Sequence, residues 1–237
     1  MGQSDLMSDY DWDSPQPEQF QESRQRALAI LRETDTPKSL AKFYNPENNW
    51  AGLEFHELAP VTPYEIGPSD LLAITLMDVA VQPAALRRLL LPGADRDRIA
   101  YALRRVRPNV TLADADHDTI DAAAELYQEV KAALRGNRWV TASKICARMR
   151  PALIPVRDRV VVAQLNLPNN DYRADWTLIR GLARDPDVRT ALTDLAKEAS
   201  SPANDLRRLP ALRVLDTAVW MHGRGSHPAQ DREIDEE

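Results

Sequence analysis

From residue 67 onward the chain shows no clear alternation of apolar and polar side chains. Its apolar residues recur instead every three or four positions, in runs opened by Pro or Asp and stopped by Pro or Gly. That spacing is the period of helices with one buried face, and with only 8 Gly in 237 residues it predicts an all-α main domain.

Residues 1–18 lack an apolar period and are expected to be a disordered acidic arm; apolar spacing then predicts a helix over 17–33 and a short one over 39–44. Residues 45–67 are irregular, carrying Trp50, Phe55 and Tyr64 among prolines, with room for one or two short strands; a domain boundary is expected at 66/67. Ser69 is positioned as an N-cap for an almost wholly apolar helix over 71–79. Further helices are expected from Pro83 to about 91, over 95–107, 116–134, 159–165, 171–182, 186–199 and about 210–222, with a disordered acidic tail over 223–237. The organisation expected is thus an arm (1–18), an N-terminal segment (19–66), a main helical domain (67–222) and a tail (223–237).

The net charge of −6 sits in the ends: residues 1–18 carry −5 and residues 223–237 carry −3, leaving +2 for 19–222. The most basic window contains Arg135, Arg138, Lys144, Arg148, Arg150, Arg157 and Arg159, with Asp158 as its one acid. No apolar run approaches ~18 residues, so no transmembrane span is expected. The polar start lacks a signal-peptide layout and Cys146 is the single cysteine, which together read as cytoplasmic and exclude all-cysteine metal or iron–sulfur sites. His56, His117, His222 and His227 show no metal-ligand spacing.

The stretch Leu134-Arg-Gly136-Asn-Arg-Trp-Val-Thr141-Ala142, followed by Pro155-Val156-Arg-Asp158, resembles the helix–hairpin–helix signature of the DNA glycosylase superfamily named after endonuclease III. The family pattern is Leu-Pro-Gly-Val-Gly-x-Lys-Thr-Ala, with a catalytic Asp eighteen residues after the Lys; the same step here leads from Val140 to Asp158. The chain is also similar to a bacterial family of unassigned function sharing this core. The resemblance covers residues 67–222 and implies two helical lobes with a cleft, the N-terminal helices joining the C-terminal ones. It implies a monomer acting on double-stranded DNA without cofactor or metal, hydrolysing the N-glycosidic bond of a flipped, damaged or modified base. Asp158 takes the catalytic position. Gly136, Asn137, Arg138, Trp139, Thr141, Lys144 and Arg148 take the DNA-contacting ones, and Trp50 and Tyr64 are candidates for the base pocket. The chain departs from the pattern in having Arg138 for the second Gly and Val140 for the Lys, which removes the amine of a Schiff base. Base removal without strand-nicking lyase activity is the corresponding expectation.

The chemistry suits these residues. Gly at a left-handed position lets backbone N–H groups converge on a phosphate at a helix N-terminus, and Lys144 and Arg148, four apart, share a helix face. A fixed carboxylate stabilises the oxocarbenium-like state formed as the glycosidic bond breaks. Plainer roles stand beside these: Asp158 as the N-cap of 159–165, Gly136 as a helix C-cap, the basic residues as a solvated face, Trp139 and Cys146 as packing, and Trp50, Phe55 and Tyr64 as a small aromatic core. A non-catalytic DNA-binding protein that keeps the fold, and a helical protein unrelated to nucleic acid, both remain open at this stage.

Overall fold

A computed structural model describes residues 10–48, 50–59, 61–168 and 171–226. Its helices are α1 (Pro17–Leu31), α2 (Thr36–Phe43), α3 (Gly52–Glu57), α4 (Pro68–Thr75), α5 (Pro83–Leu90), α6 (Ala94–Arg105), α7 (His117–Leu134), α8 (Trp139–Met149), α9 (Arg159–Leu165), α10 (Tyr172–Arg184), α11 (Pro186–Ala199) and α12 (Ala211–Ser226). The expected all-α class holds, and the strands allowed for in 45–67 are absent among the described residues, where α3 stands instead. No helix among them is long and apolar enough to cross a membrane.

Local chemistry starts these helices. Pro occupies the first turn of α1, α2, α4, α5 and α11, where a missing N–H costs nothing. Asp caps α7, α9, α10 and α11, its carboxylate accepting N–H groups that the helix cannot pair itself. α4 differs from expectation: Gly67, not Ser69, is its N-cap, and the Asp70 carboxylate accepts the Gly67 N–H at 2.9 Å. The helix also ends at Thr75 rather than Val79, because successive i to i+3 bonds tighten the chain until Asp78 turns left-handed at φ 61°.

Helix packing divides into two groups. Helices α4–α8 pack on one another, while α1, α2 and α9–α12 form the second group, so the N-terminal helices join the C-terminal ones. Beneath the junction runs the connection between α8 and α9, buried from Leu153 to Asp158, which is unusual for a loop because its polar backbone must be paired. Ser143 Oγ pins this segment at two points, donating to the Pro155 carbonyl at 3.1 Å and accepting the Arg157 N–H at 2.6 Å. Arg213 donates to the Ile154 carbonyl at 2.9 Å, and the Val156 N–H donates to Asp216 at 2.9 Å.

Many buried cations serve the backbone. Short helices leave their last carbonyls unpaired, and guanidinium groups from other elements supply the donors. Arg150, fully buried, donates to the Leu103 and Val106 carbonyls at the end of α6 and to that of Pro63. Arg88 does the same for Ala133 and Leu134 at the end of α7.

The acidic arm is corrected in part. Trp12 is buried against Trp176 and donates to Asp121 at 2.8 Å, and Asp13 sits 2.7 Å from Arg180 and from His117 and 2.5 Å from Arg184. An indole with its N–H paired buries too much apolar surface to stay in solvent. Residues 1–9 lie outside the described residues. At the other end α12 runs on to Ser226, leaving 227–237 of the expected tail outside the described residues.

Candidate functional site

Between the two groups of helices lies a cavity of about 280 Å3, and Asp158 is on its wall. Asp158 is 7% exposed and, as the plain reading held, caps α9, accepting the Val161 N–H at 2.9 Å. Capping and facing the cavity are thus compatible. The cavity is aromatic on one side: Phe43 and Tyr44 from the end of α2, Trp50, Phe55 and His56 around α3, and Trp220 on α12. Trp50 and Trp220 meet edge to face at 5.5 Å, with the Arg224 guanidinium over both rings. Trp50, a base-pocket candidate of the sequence, thus lines the cavity. Tyr64 does not: it is exposed and outside the cavity.

One face of α12 supplies the remaining wall. Arg213, Asp216, Thr217, Trp220 and Arg224 recur at helical spacing and all line the cavity. The intervening Leu212, Val214, Leu215, Ala218 and Val219 are buried hydrophobics. Asp216 accepts from Val156 N–H and pairs with Arg213 at 2.5 Å. Burial pushes its carboxyl up to about 6, with the Asp158 charge adding to the rise and Arg213 opposing it. Burial, reinforced by Arg213 and Arg148, pushes His56 down to about 3, so its ring is neutral. Burial raises Tyr44 to about 12, against its hydrogen bond with Thr217 at 2.9 Å. Arg213 is 1% exposed, and its Nε and Nη1 make no hydrogen bond among the described residues. Orphaned buried donors are costly, and beside a cavity they are what a ligand's acceptor atoms would satisfy.

This stripe escaped the sequence reading. The signal was present as polar residues at period 3.6 inside a helix whose other faces are apolar, but charged positions on a terminal helix read as solvent-facing.

The hairpin tells a different story from the expectation. Gly136 is exposed with φ 64°, and Arg135 before it is also left-handed at φ 62°, so the turn forms without the second Gly that Arg138 replaces. Asn137 is exposed, Arg138 is the half-buried N-cap of α8, and no side chain caps that helix. Trp139 is half-buried with the Arg157 guanidinium 4.5 Å above its ring. From Thr141 to Met149, however, α8 is buried all round. Thr141 is buried, at 4% exposure, and is not presented to solvent. Arg148 is 2% exposed, paired with Asp70 at 3.2 Å and donating to the carbonyls of Phe55, His56 and Ala59, so it fastens α3 and α4 to α8 and is not presented to solvent. Lys144 is also withdrawn: its ammonium donates to the Met77 carbonyl at 2.7 Å, on the cavity wall. Arg157 is buried against Asp175, whose carboxyl burial pushes up to about 7 against the pull of Arg157. The basic window is thus largely internal wiring. Cys146 is fully buried, as its spacing suggested, and burial raises its thiol well above the usual range. Among the described residues no three His, Cys, Asp or Glu side chains are grouped to hold a metal ion.

Neither a curated protein nor a solved structure matches the chain. A family model does match, over residues 37–223, a stretch holding every residue that lines the cavity except Arg224. The chain belongs to that family, DUF6308, a family of unknown function.

Proposed function

We propose that the protein is a monofunctional DNA glycosylase-like enzyme that accepts a flipped base into the aromatic cavity and hydrolyses its N-glycosidic bond. The observation that carries this reading is the placement of Asp158, which ends the buried loop at the sequence step of the resembled motif and faces a cavity walled by Trp50, Trp220, Phe43 and Tyr44. Flat aromatic walls hold a base by stacking, and a carboxylate fixed by a helix N-terminus stabilises positive charge developing on the sugar. Val140, half-buried in α8, offers no amine, and the Lys144 ammonium on the cavity wall is engaged by the Met77 carbonyl, so the reaction stops at an abasic site. Duplex contact falls to the exposed Gly136-Asn137 turn and the N-terminus of α8, where no side-chain cap occupies the first turn and the helix dipole suits a phosphate.

The test is Asp158→Asn. Asn caps helices about as well as Asp, so stability should change by only a few tenths of a kcal/mol. Loss of the charge should raise the barrier by ~3 kcal/mol, on the order of 10²-fold in abasic-site formation from a panel of modified duplexes. A variant as fast as wild type on the best substrate removes Asp158 from the chemistry. Absence of abasic sites with every duplex, alongside salt-dependent binding, leaves a DNA-binding protein without the reaction.

A further inference from the structure

Asp158 is not the cavity's only carboxylate. Asp216 faces it from α12, anchored by the Val156 N–H at 2.9 Å and by Arg213 at 2.5 Å, and so is aimed rather than loose. Arg213 in turn keeps Nε and Nη1 without hydrogen-bond partners while buried on the cavity wall. A donor with nothing to donate to and an anchored carboxyl together form an edge that a heteroaromatic ring, with its lone pairs and N–H groups, complements.

Resting on the glycosylase reading above, we propose that Asp216 is a second catalytic residue. As a carboxylic acid it protonates the departing base while Asp158 faces the sugar, so the substrate carries a neutral base that needs a proton to leave, not an alkylated cationic one. In that reaction the N–C1′ bond breaks with its electron pair passing to the base. Asp216 gives a proton to a ring nitrogen or carbonyl of that base, with Arg213 donating to a neighbouring acceptor. Water adds to C1′ and its proton passes to Asp158, which releases it to solvent as solvent returns a proton to Asp216. The net change is one water consumed per base released.

Two observations support the assignment. Burial and the neighbouring Asp158 charge hold Asp216 near 6 despite Arg213, so a proton is available near neutrality. The other titratable groups on the cavity wall are Tyr44 and His56, both uncharged near neutrality, together with Asp78, Lys144 and Arg224. Counting formal charges, Arg213, Lys144 and Arg224 stand against Asp78 and Asp158 while Asp216 holds its proton, and this net of +1 opposes a cationic base and tolerates a neutral one.

The experiment measures single-turnover base release by the full chain from duplexes carrying one uracil, hypoxanthine or 7-methylguanine, from about pH 5 to 8. It is run on wild type, Asp216→Asn, Asp216→Glu and Asp158→Asn, with quenching of tryptophan fluorescence recording duplex binding. Release of a neutral base is expected, falling roughly tenfold per pH unit above about 6. Asp216→Asn should lose at least tenfold at low pH and flatten that limb, and Asp216→Glu should restore it. Fastest release of 7-methylguanine, or an unchanged profile in Asp216→Asn while Asp158→Asn is silent, overturns the proposal and leaves the glycosylase reading standing. A flat wild-type profile overturns it whether or not Asp216→Asn folds. Quenching by every duplex with no release overturns both.

Discussion

Arg148→Met separates the two roles open to this residue. The substitution keeps an unbranched side chain of similar length and removes the guanidinium. In the structure that group pairs with Asp70 and donates to three carbonyls at 2.5–2.8 Å while only 2% of the residue is exposed. Breaking a buried ion pair from one side costs ~3–5 kcal/mol, and each stranded buried acceptor adds ~1–3 kcal/mol. The carbonyls sit near the exposed Glu57 and Leu58, where water can replace part of the loss, and the Met side chain adds apolar burial. About 4–5 kcal/mol therefore remains, which for a domain of this size is a fall of roughly 10–18 °C in Tm. Circular-dichroism melts and urea midpoints measure it. Asp70→Asn in the same chain should recover part of the loss, since the stranded carboxylate is then gone. A variant melting within about 3 °C of wild type, with weakened duplex binding and a shallower salt dependence, refutes the buried geometry and returns Arg148 to the phosphate contact its sequence position suggested.

Other outcomes follow from the same packing. Trp12→Ala should lose ~3 kcal/mol or more in chemical denaturation, because an indole buried against Trp176 and paired with Asp121 leaves a cavity and an unpaired carboxylate. Asp13 is held below its ordinary value of 3.8: partial burial works against this, and bonds from His117 and Arg184 with the charge of Arg180 outweigh it. Its stabilisation is present above that ordinary value and fades as pH falls through the lower folded value, so Asp13→Asn should blunt the acid limb of a stability–pH profile below about pH 4. Cys146 should react with a maleimide only on unfolding, being buried and held as the thiol; rapid labelling of the native chain contradicts its position in α8.

What the sequence disclosed follows from which interactions are local. The bounds of α9 and α11 are legible because Asp158, Asp185 and Pro186 act within one turn of themselves. The regrouping of N- and C-terminal helices was legible only through the family resemblance. The fate of the basic window was not legible at all. Arg148, Arg150 and Lys144 look solvent-facing in one dimension, since what recruits them is carbonyl groups 44 to 93 residues away. The cavity wall on α12 was missed for a related reason: Asp216 gains its character from Val156 and Asp158, some 60 residues earlier.

The buried connection between α8 and α9 also bears on motion. Its bonds run to Ser143 on one side and to Arg213 and Asp216 on the other, so it works as a seam rather than a hinge. Rocking the two helical groups apart would tear several buried polar bonds at once. A mouth sewn from beneath stays at one width, and the work of fitting passes to whatever enters: on the glycosylase reading proposed above, a nucleotide would have to arrive already swung out of its helix, with the bending borne by the nucleic acid.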